Sequence, residues 1–293
     1  MDEKTMSFNE NQLKRVGMAE AFTPELKKKM EEGVPMIQQV FKKEYDGDKV
    51  EATLHLKKSS TTDHYFLNKF DLALQKEGQE KEVRQTFYLN SVKPANGSED
   101  DKQKVESKYT LKEAYNLLSG RPVHKQLVSK EGNEYEAWVK LDTNNKLENG
   151  NHKLQQFNQG YGFDLKSTLL QYSISEMRTD TYLQRLMESL QRGNLQKVTF
   201  FAKDGNSEKL YISPNIKLSA LDVYGEDKKR IPLSALVDKD YISEKLSTQI
   251  KQRTAVEQNQ ERVAPGLPND EKKQIQSEGK VIKHEQPKKQ RIK

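Results

Sequence analysis

The sequence predicts an α+β protein of three small helix–β–β–β modules followed by a disordered, basic C-terminal tail. Three observations carry this expectation. Short amphipathic segments that stop at a glycine recur three times, each is followed by β-rich runs around a glycine turn, and the last 46 residues contain no aromatic residue. The organisation that follows is an N-terminal helix plus a diverged first module over 1–92, a linker over 93–107, a second module over 108–178 and a third over 179–238. A C-terminal helix over 239–258 and a tail over 259–293 complete it.

A first helix is expected over Asn9–Val16. The three module helices run from Thr23 to Gly33, Thr110 to Gly120 and Thr181 to Gly193. Thr110 with Glu113 and Thr181 with Gln184 have capping-box spacing, in which each side chain satisfies an orphan backbone N–H. The first helix uses Thr23 before Pro24, whose missing N–H costs nothing at the first helical position. Apolar residues then fall at helical spacing, for example Leu111, Ala114, Tyr115 and Leu118. Gly33, Gly120 and Gly193 suit left-handed C-terminal caps.

Each glycine leads into a strand, a tight turn and another strand. The turns are Tyr45-Asp46-Gly47-Asp48, Lys130-Glu131-Gly132-Asn133 and Lys203-Asp204-Gly205-Asn206, placed 14, 12 and 12 residues after the capping glycines. Six residues beyond the turn glycine stand Thr53, Trp138 and Tyr211. A closing strand is expected at Phe70-Asp71-Leu72, Phe163-Asp164-Leu165 and Leu221-Asp222-Val223-Tyr224. The pair Gly160 and Gly162 reads as a strand bend, and Pro94 to Asp101 as the linker. Three ordered correspondences point to duplication.

The second and third modules carry a resemblance. Tyr109-Thr110-Leu111-Lys112-Glu113-Ala114, Leu118-Ser119-Gly120-Arg121-Pro122-Val123, Glu136-Ala137-Trp138-Val139-Lys140-Leu141-Asp142 and Tyr161-Gly162-Phe163-Asp164-Leu165 together resemble an uncharacterised bacterial domain family. That family is found on conjugative and integrative mobile elements, sometimes linked to topoisomerase-type proteins. The resemblance covers roughly residues 108–236 and reaches 1–90 only weakly. It implies a genomic setting and transfers no catalytic residue.

Composition limits the chemistry. Of 293 residues 33% are hydrophobic and 32% charged, with a mean hydropathy of −0.98, so the core is thin. There is no cysteine, which excludes disulfides, thiolate metal sites and cysteine nucleophiles. No run approaches the ~18 apolar residues of a membrane span, and the N-terminus lacks the basic-then-apolar order of a secretory signal. A cytoplasmic protein with no membrane partner is expected.

The net charge of +6 is unevenly placed. Of 50 Lys/Arg and 44 Asp/Glu, residues Thr248–Lys293 hold 11 and 6, leaving 39 and 38 for the other 247 residues. The excess therefore sits in the tail, where Lys288, Lys289, Arg291 and Lys293 are expected to meet phosphates. Arg121 and Lys125, near a capping glycine, are further phosphate candidates, though a helix C-terminus attracts cations anyway. Arg192 and Lys197 are placed alike.

Catalytic patterns are missing. His55, His64, His124, His152 and His284 have no zinc-helix spacing, and neither a nucleophile elbow nor a phosphate loop occurs. No cofactor and no metal are expected. Asp71 and Asp164 recur after Phe, as catalytic carboxylates or as turn and cap acids. Trp138 and Tyr211 read as core rather than as base-stacking platforms. The expected function is a non-enzymatic accessory of a mobile genetic element. It associates weakly and non-specifically with DNA through its tail, and with a mobile-element or host protein through its modules. The alternatives are a protein-only adaptor or antagonist of host defence or conjugation components, and a small-ligand module, for example for a nucleotide.

Overall fold

Asp2 opens the first helix: its carboxylate accepts the Thr5 N–H at 2.7 Å and starts α1 (Glu3–Arg15). The computed structural model describes residues 1–89, 109–129 and 133–252. α1 begins six residues before the expected Asn9, because much of its buried stripe is polar. Thr5 and Asn9 are buried beside Leu13, and such a stripe leaves no apolar period to read.

After a 3₁₀ turn at Ala19–Ala21, α2 (Pro24–Glu31) is capped by Thr23, whose hydroxyl accepts the Leu26 N–H. Four antiparallel strands follow in sequential order: β1 (Met36–Tyr45), β2 (Asp48–Lys58), β3 (Tyr65–Gln75) and β4 (Glu82–Tyr88). Val50, Ala52, Leu54 and Leu56 alternate inward on β2, as a half-buried strand requires. Beyond the end of β4 the edge of β3 is closed by α1. Asn9 accepts the Tyr65 N–H, while Gln12 donates to the Tyr65 carbonyl and accepts the Leu67 N–H.

α3 (Leu111–Leu118) carries the expected capping box, with Thr110 and Glu113 satisfying each other's backbone N–H. Seven of its eight residues are buried, because it packs on two sides. The Leu111 N–H donates to Val16 O at 2.8 Å, and the Tyr109 and Tyr115 rings meet Phe87 and Tyr45 of the first sheet. On its other side lie β5 (Val123–Val128) and β6 (Glu134–Lys146), which with β7 (His152–Asn158) form a second antiparallel sheet. A single hydrophobic cluster accordingly runs from Leu13 through Phe70 and Leu117 to Val123 and Leu141. The first two sheets share this core, while Leu127, Ala137 and Val139 of the second sheet form a smaller cluster of their own.

The closing strand of the second sheet is β7, not Phe163–Leu165. Asp164 instead accepts the Ser167 N–H at 2.6 Å and caps α4 (Leu165–Leu169). Gly160 and Gly162 belong to a 3₁₀ turn ended by Gly162 at φ +81°, not to a bent strand. α5 (Asp180–Gln191) begins before Thr181, so the Thr181/Gln184 box does not form; Thr179 precedes the helix without a side-chain bond, and Gln184 bonds Glu188. Gly193 ends the glycine-capped stretch at φ +77°, where a Cβ would stand 2.9 Å from the Pro122 carbonyl oxygen.

A third antiparallel sheet follows, again in sequential order: β8 (Gln196–Phe201), β9 (Ser207–Asn215), β10 (Ala220–Tyr224) and β11 (Arg230–Ile231). The helix expected over 239–258 is interrupted. α6 (Leu233–Asp238) stops, Asp240 turns at φ +56°, and Ile242 bridges Tyr172 as an extended residue before residues 244–252 resume a helix. Met1–Ser243 form one compact unit. The architecture is thus mixed helix and sheet with three antiparallel sheets. The linker over 93–107, residues 130–132 of the second turn, residues 253–258 and the tail over 259–293 lie outside the described residues.

Candidate functional site

The first sheet turns one face to the core and leaves the other open. Its register sets outward residues in rows across four strands. Gln38, His55, Lys69 and Tyr88 stand abreast, flanked on one side by Val40, Thr53, Asp71 and Thr86. On the other side Met36, Lys57 and Phe66 form a shorter row. At a strand spacing of about 4.8 Å, a four-strand row spans about 14 Å. Four of the exposed large hydrophobic residues lie here: Met36, Val40, Phe66 and Tyr88, the last two at 42% and 53% exposure.

A polar network occupies the middle. His55 Nε2 stands 2.6 Å from Asp71 Oδ2, and the Thr86 hydroxyl donates to Asp71 Oδ1 at 2.6 Å. Burial works to raise the Asp71 pKa, yet the bonds from Thr86 and His55 prevail and hold it below the usual 3.8. Asp71 is therefore neither a cap nor a turn acid, but the anchor of a cross-strand network. Glu51 is paired with Lys42 and Asp63 with Lys58, which leaves Lys57 and Lys69 without an ion pair among the described residues. Phe8 of α1 stacks on His64 and meets Phe66 edge-on, extending the aromatic surface past the sheet. A shallow hollow of about 500 Å³ lies at the opposite end, lined by Lys42, Glu51, Gln75 and Glu82 among others.

The sequence-derived phosphate candidates fall elsewhere. Lys288, Lys289, Arg291 and Lys293 lie outside the described residues. Arg121 is engaged at the end of α5: Nε donates to Gly193 O at 2.9 Å and Nη2 to Asn116 Oδ1 at 2.6 Å, with the guanidinium over Tyr115. Buried Asn116 donates in turn to Arg192 O. Carbonyls at a helix C-terminus attract such donors. Lys125 pairs with Glu113 at 3.0 Å, both largely buried. Lys197 pairs with Glu226 and lies over Tyr211.

Trp138 is 6% exposed, held between His124 and Phe163, so it is core as expected. Tyr211 is half-buried on β9. Among the described residues no group of three His, Asp or Glu is arranged to hold a metal, and no helix is long and apolar enough to cross a membrane. Sequence reasoning missed the open face. The signal available was the alternation along β3 and β4, where Phe66 and Tyr88 fall out of phase with buried Leu67 and Phe87. No family model matches the chain, and no curated protein or solved structure matches it.

Proposed function

We propose that this protein is a non-enzymatic, cytoplasmic accessory of a mobile genetic element that associates weakly with DNA through its basic C-terminal tail and with a partner protein through its folded part. The observation that carries the reading is the charge division: 11 basic against 6 acidic residues over Thr248–Lys293, and near balance in the rest. Its DNA contact is electrostatic and sequence-independent, which suits an accessory that acts on whatever element carries it. The recurring order of helix, positive-φ glycine and antiparallel strands at Gly33, Gly120 and Gly193 supports descent by duplication of one helix–β–β–β unit.

Fluorescence anisotropy on duplex DNA tests the reading. If Lys288, Lys289, Arg291 and Lys293 each neutralise one phosphate, log affinity falls against log salt with a slope near −3.6, from ~0.9 per contact. Replacing all four by Gln flattens that slope and removes most duplex binding without moving the melting temperature. Duplex binding that is undetectable at ~50 mM salt, where four phosphate contacts remain measurable, overturns the reading. The protein-only adaptor then takes its place. That second reading is favoured by one observation, the internal commitment of Arg121 and Lys125.

A further inference from the structure

We propose that the open face of the first sheet, at its Phe66–Lys69–Tyr88 end, is a platform for single-stranded nucleic acid. Tyr88 and Phe66 stack on bases, and Lys57 and Lys69 meet phosphates. The surface shares a ligand class with the tail and none of its residues.

The argument starts from what the fold does not use. Tyr88 is 53% exposed and makes no ring contact among the described residues; Phe66 meets Phe8 and His64 edge-on and stays 42% exposed. Rings left in water on a sheet cost hydration that stability alone would remove. They stand on adjacent strands beside two lysines without ion pairs, Lys69 directly across from Tyr88 and Lys57 directly across from Phe66. Alternating rings and cations on a sheet fit a strand of unpaired bases: each base offers a π-face, each linkage a negative charge.

Chemistry favours this occupant over a protein. Lysine is depleted from the cores of protein interfaces because burial strips its water. Two lysines among the rings would be stranded there unless the partner brings anions at regular spacing, as a phosphate backbone does. A duplex fits less well, since its bases are already stacked on one another. Asp71, two residues from Lys69 on β3, stays ionised under its bonds from Thr86 and His55, so the phosphates lie on the Lys57 side of Lys69, away from that carboxylate. At the far end cations are matched by acids, Lys42 with Glu51, Lys43 with Glu20 and Arg84 with Glu82. The exposed rings and the lysines without ion pairs stand together at the Met36–Phe66–Tyr88 end, and the strand is placed there.

The test uses full-length protein with Lys288, Lys289, Arg291 and Lys293 changed to Gln, so that tail binding is removed. Labelled oligo-dT and oligo-U of about 15 nucleotides, near the upper end of single-module site sizes, are titrated beside a duplex of equal length. The expected result is binding of a single strand in preference to the duplex, dT against U separating DNA from RNA as the source. Tyr88→Ala weakens it about fivefold or more, the lower bound for one lost base–aromatic stack, and Tyr88→Phe retains it. Lys69→Gln reduces the salt slope by about 0.7. Melting curves of all variants coincide. Absent single-strand binding, binding indifferent to Tyr88→Ala, or preference for the duplex overturns the proposal. A protein partner lost with Tyr88→Ala while no oligonucleotide binds overturns it also, in favour of a protein surface. Because the tail is already neutral, none of these results bears on the tail reading.

Discussion

The first and third sheets each set four outward residues abreast across four strands, and the two rows meet different fates. In the third sheet the row is Lys197, Tyr211, Tyr224 and Arg230. Lys197 lies over the Tyr211 ring and pairs with Glu226, while Arg230 pairs with Asp222. Both tyrosines are half-buried, and burial pushes the Tyr224 pKa above its usual 10. Both cations and the Tyr211 ring there have a partner inside the chain, and Tyr224 is half-buried. In the first sheet the row Gln38, His55, Lys69 and Tyr88 has only its middle tied down, by Asp71. The same strand geometry thus yields a row that completes the fold and a row that leaves chemistry over. Leftover chemistry, not mere exposure, marks a surface held for something else.

The aromatic residues provide the sharpest way to break this contrast. Trp138→Ala should cost about 3–5 kcal/mol, the range for large core truncations. Chemical denaturation measures it, and the emission of this lone tryptophan should be blue-shifted in the intact protein. A red-shifted emission with unchanged stability would move Trp138 to the surface class. The matched pair comes next. Tyr224→Ala should cost about 2 kcal/mol, half the value of a fully buried ring, whereas Tyr88→Ala should stay within about 0.5 kcal/mol. Equal losses would erase the distinction between the two rows.

The smallest effect is a pH dependence. Burial against Trp138 lowers the His124 pKa from its usual 6.5, with nearby Glu136 opposing. The native state therefore holds fewer protons than the unfolded chain just below pH 6.5. Stability from this group is fully present above that value and declines as pH falls toward the lower native pKa. Melting temperatures from pH 7.5 down to pH 5.5 should fall in the wild type and fall less in His124→Gln. Identical slopes would show that His124 titrates as it does in water.

Most local chemistry was legible in the sequence, the Thr181/Gln184 box and the Gly160/Gly162 bend apart, and long-range packing was not. The Thr110 box, the Thr23 cap, the Asp-Gly turns and the positive-φ glycines all act within a few residues, and they formed where the residue types placed them. β7 escaped notice because His152-Lys-Leu-Gln-Gln-Phe-Asn158 buries only His152 and shows no apolar alternation. The interruption at Asp240 was hidden too: Asp-Tyr-Ile-Ser continues a helical period on paper, yet Ile242 is drawn into a bridge with Tyr172, distant in sequence. At the candidate site the phosphate candidates Arg121 and Lys125 failed for a related reason. Their partners, Gly193 and Glu113, were readable as residues but not as neighbours. The row of Lys69 and Tyr88 depends on a register across β3 and β4 that only pairing defines.

The placement of α3 also orders events in time. Tyr109, Leu111 and Leu117 belong to the same core as Phe70 and Phe87, although they are encoded after all four strands of the first sheet. During synthesis from the N-terminus, which proceeds at ~5–20 residues per second, a nascent chain that ends before Leu118 has the first sheet with α1 and α2 but lacks α3, which completes its cover. The part of its apolar face around Phe87 that α3 covers must wait in water, or in the care of a chaperone, until the ribosome delivers that helix.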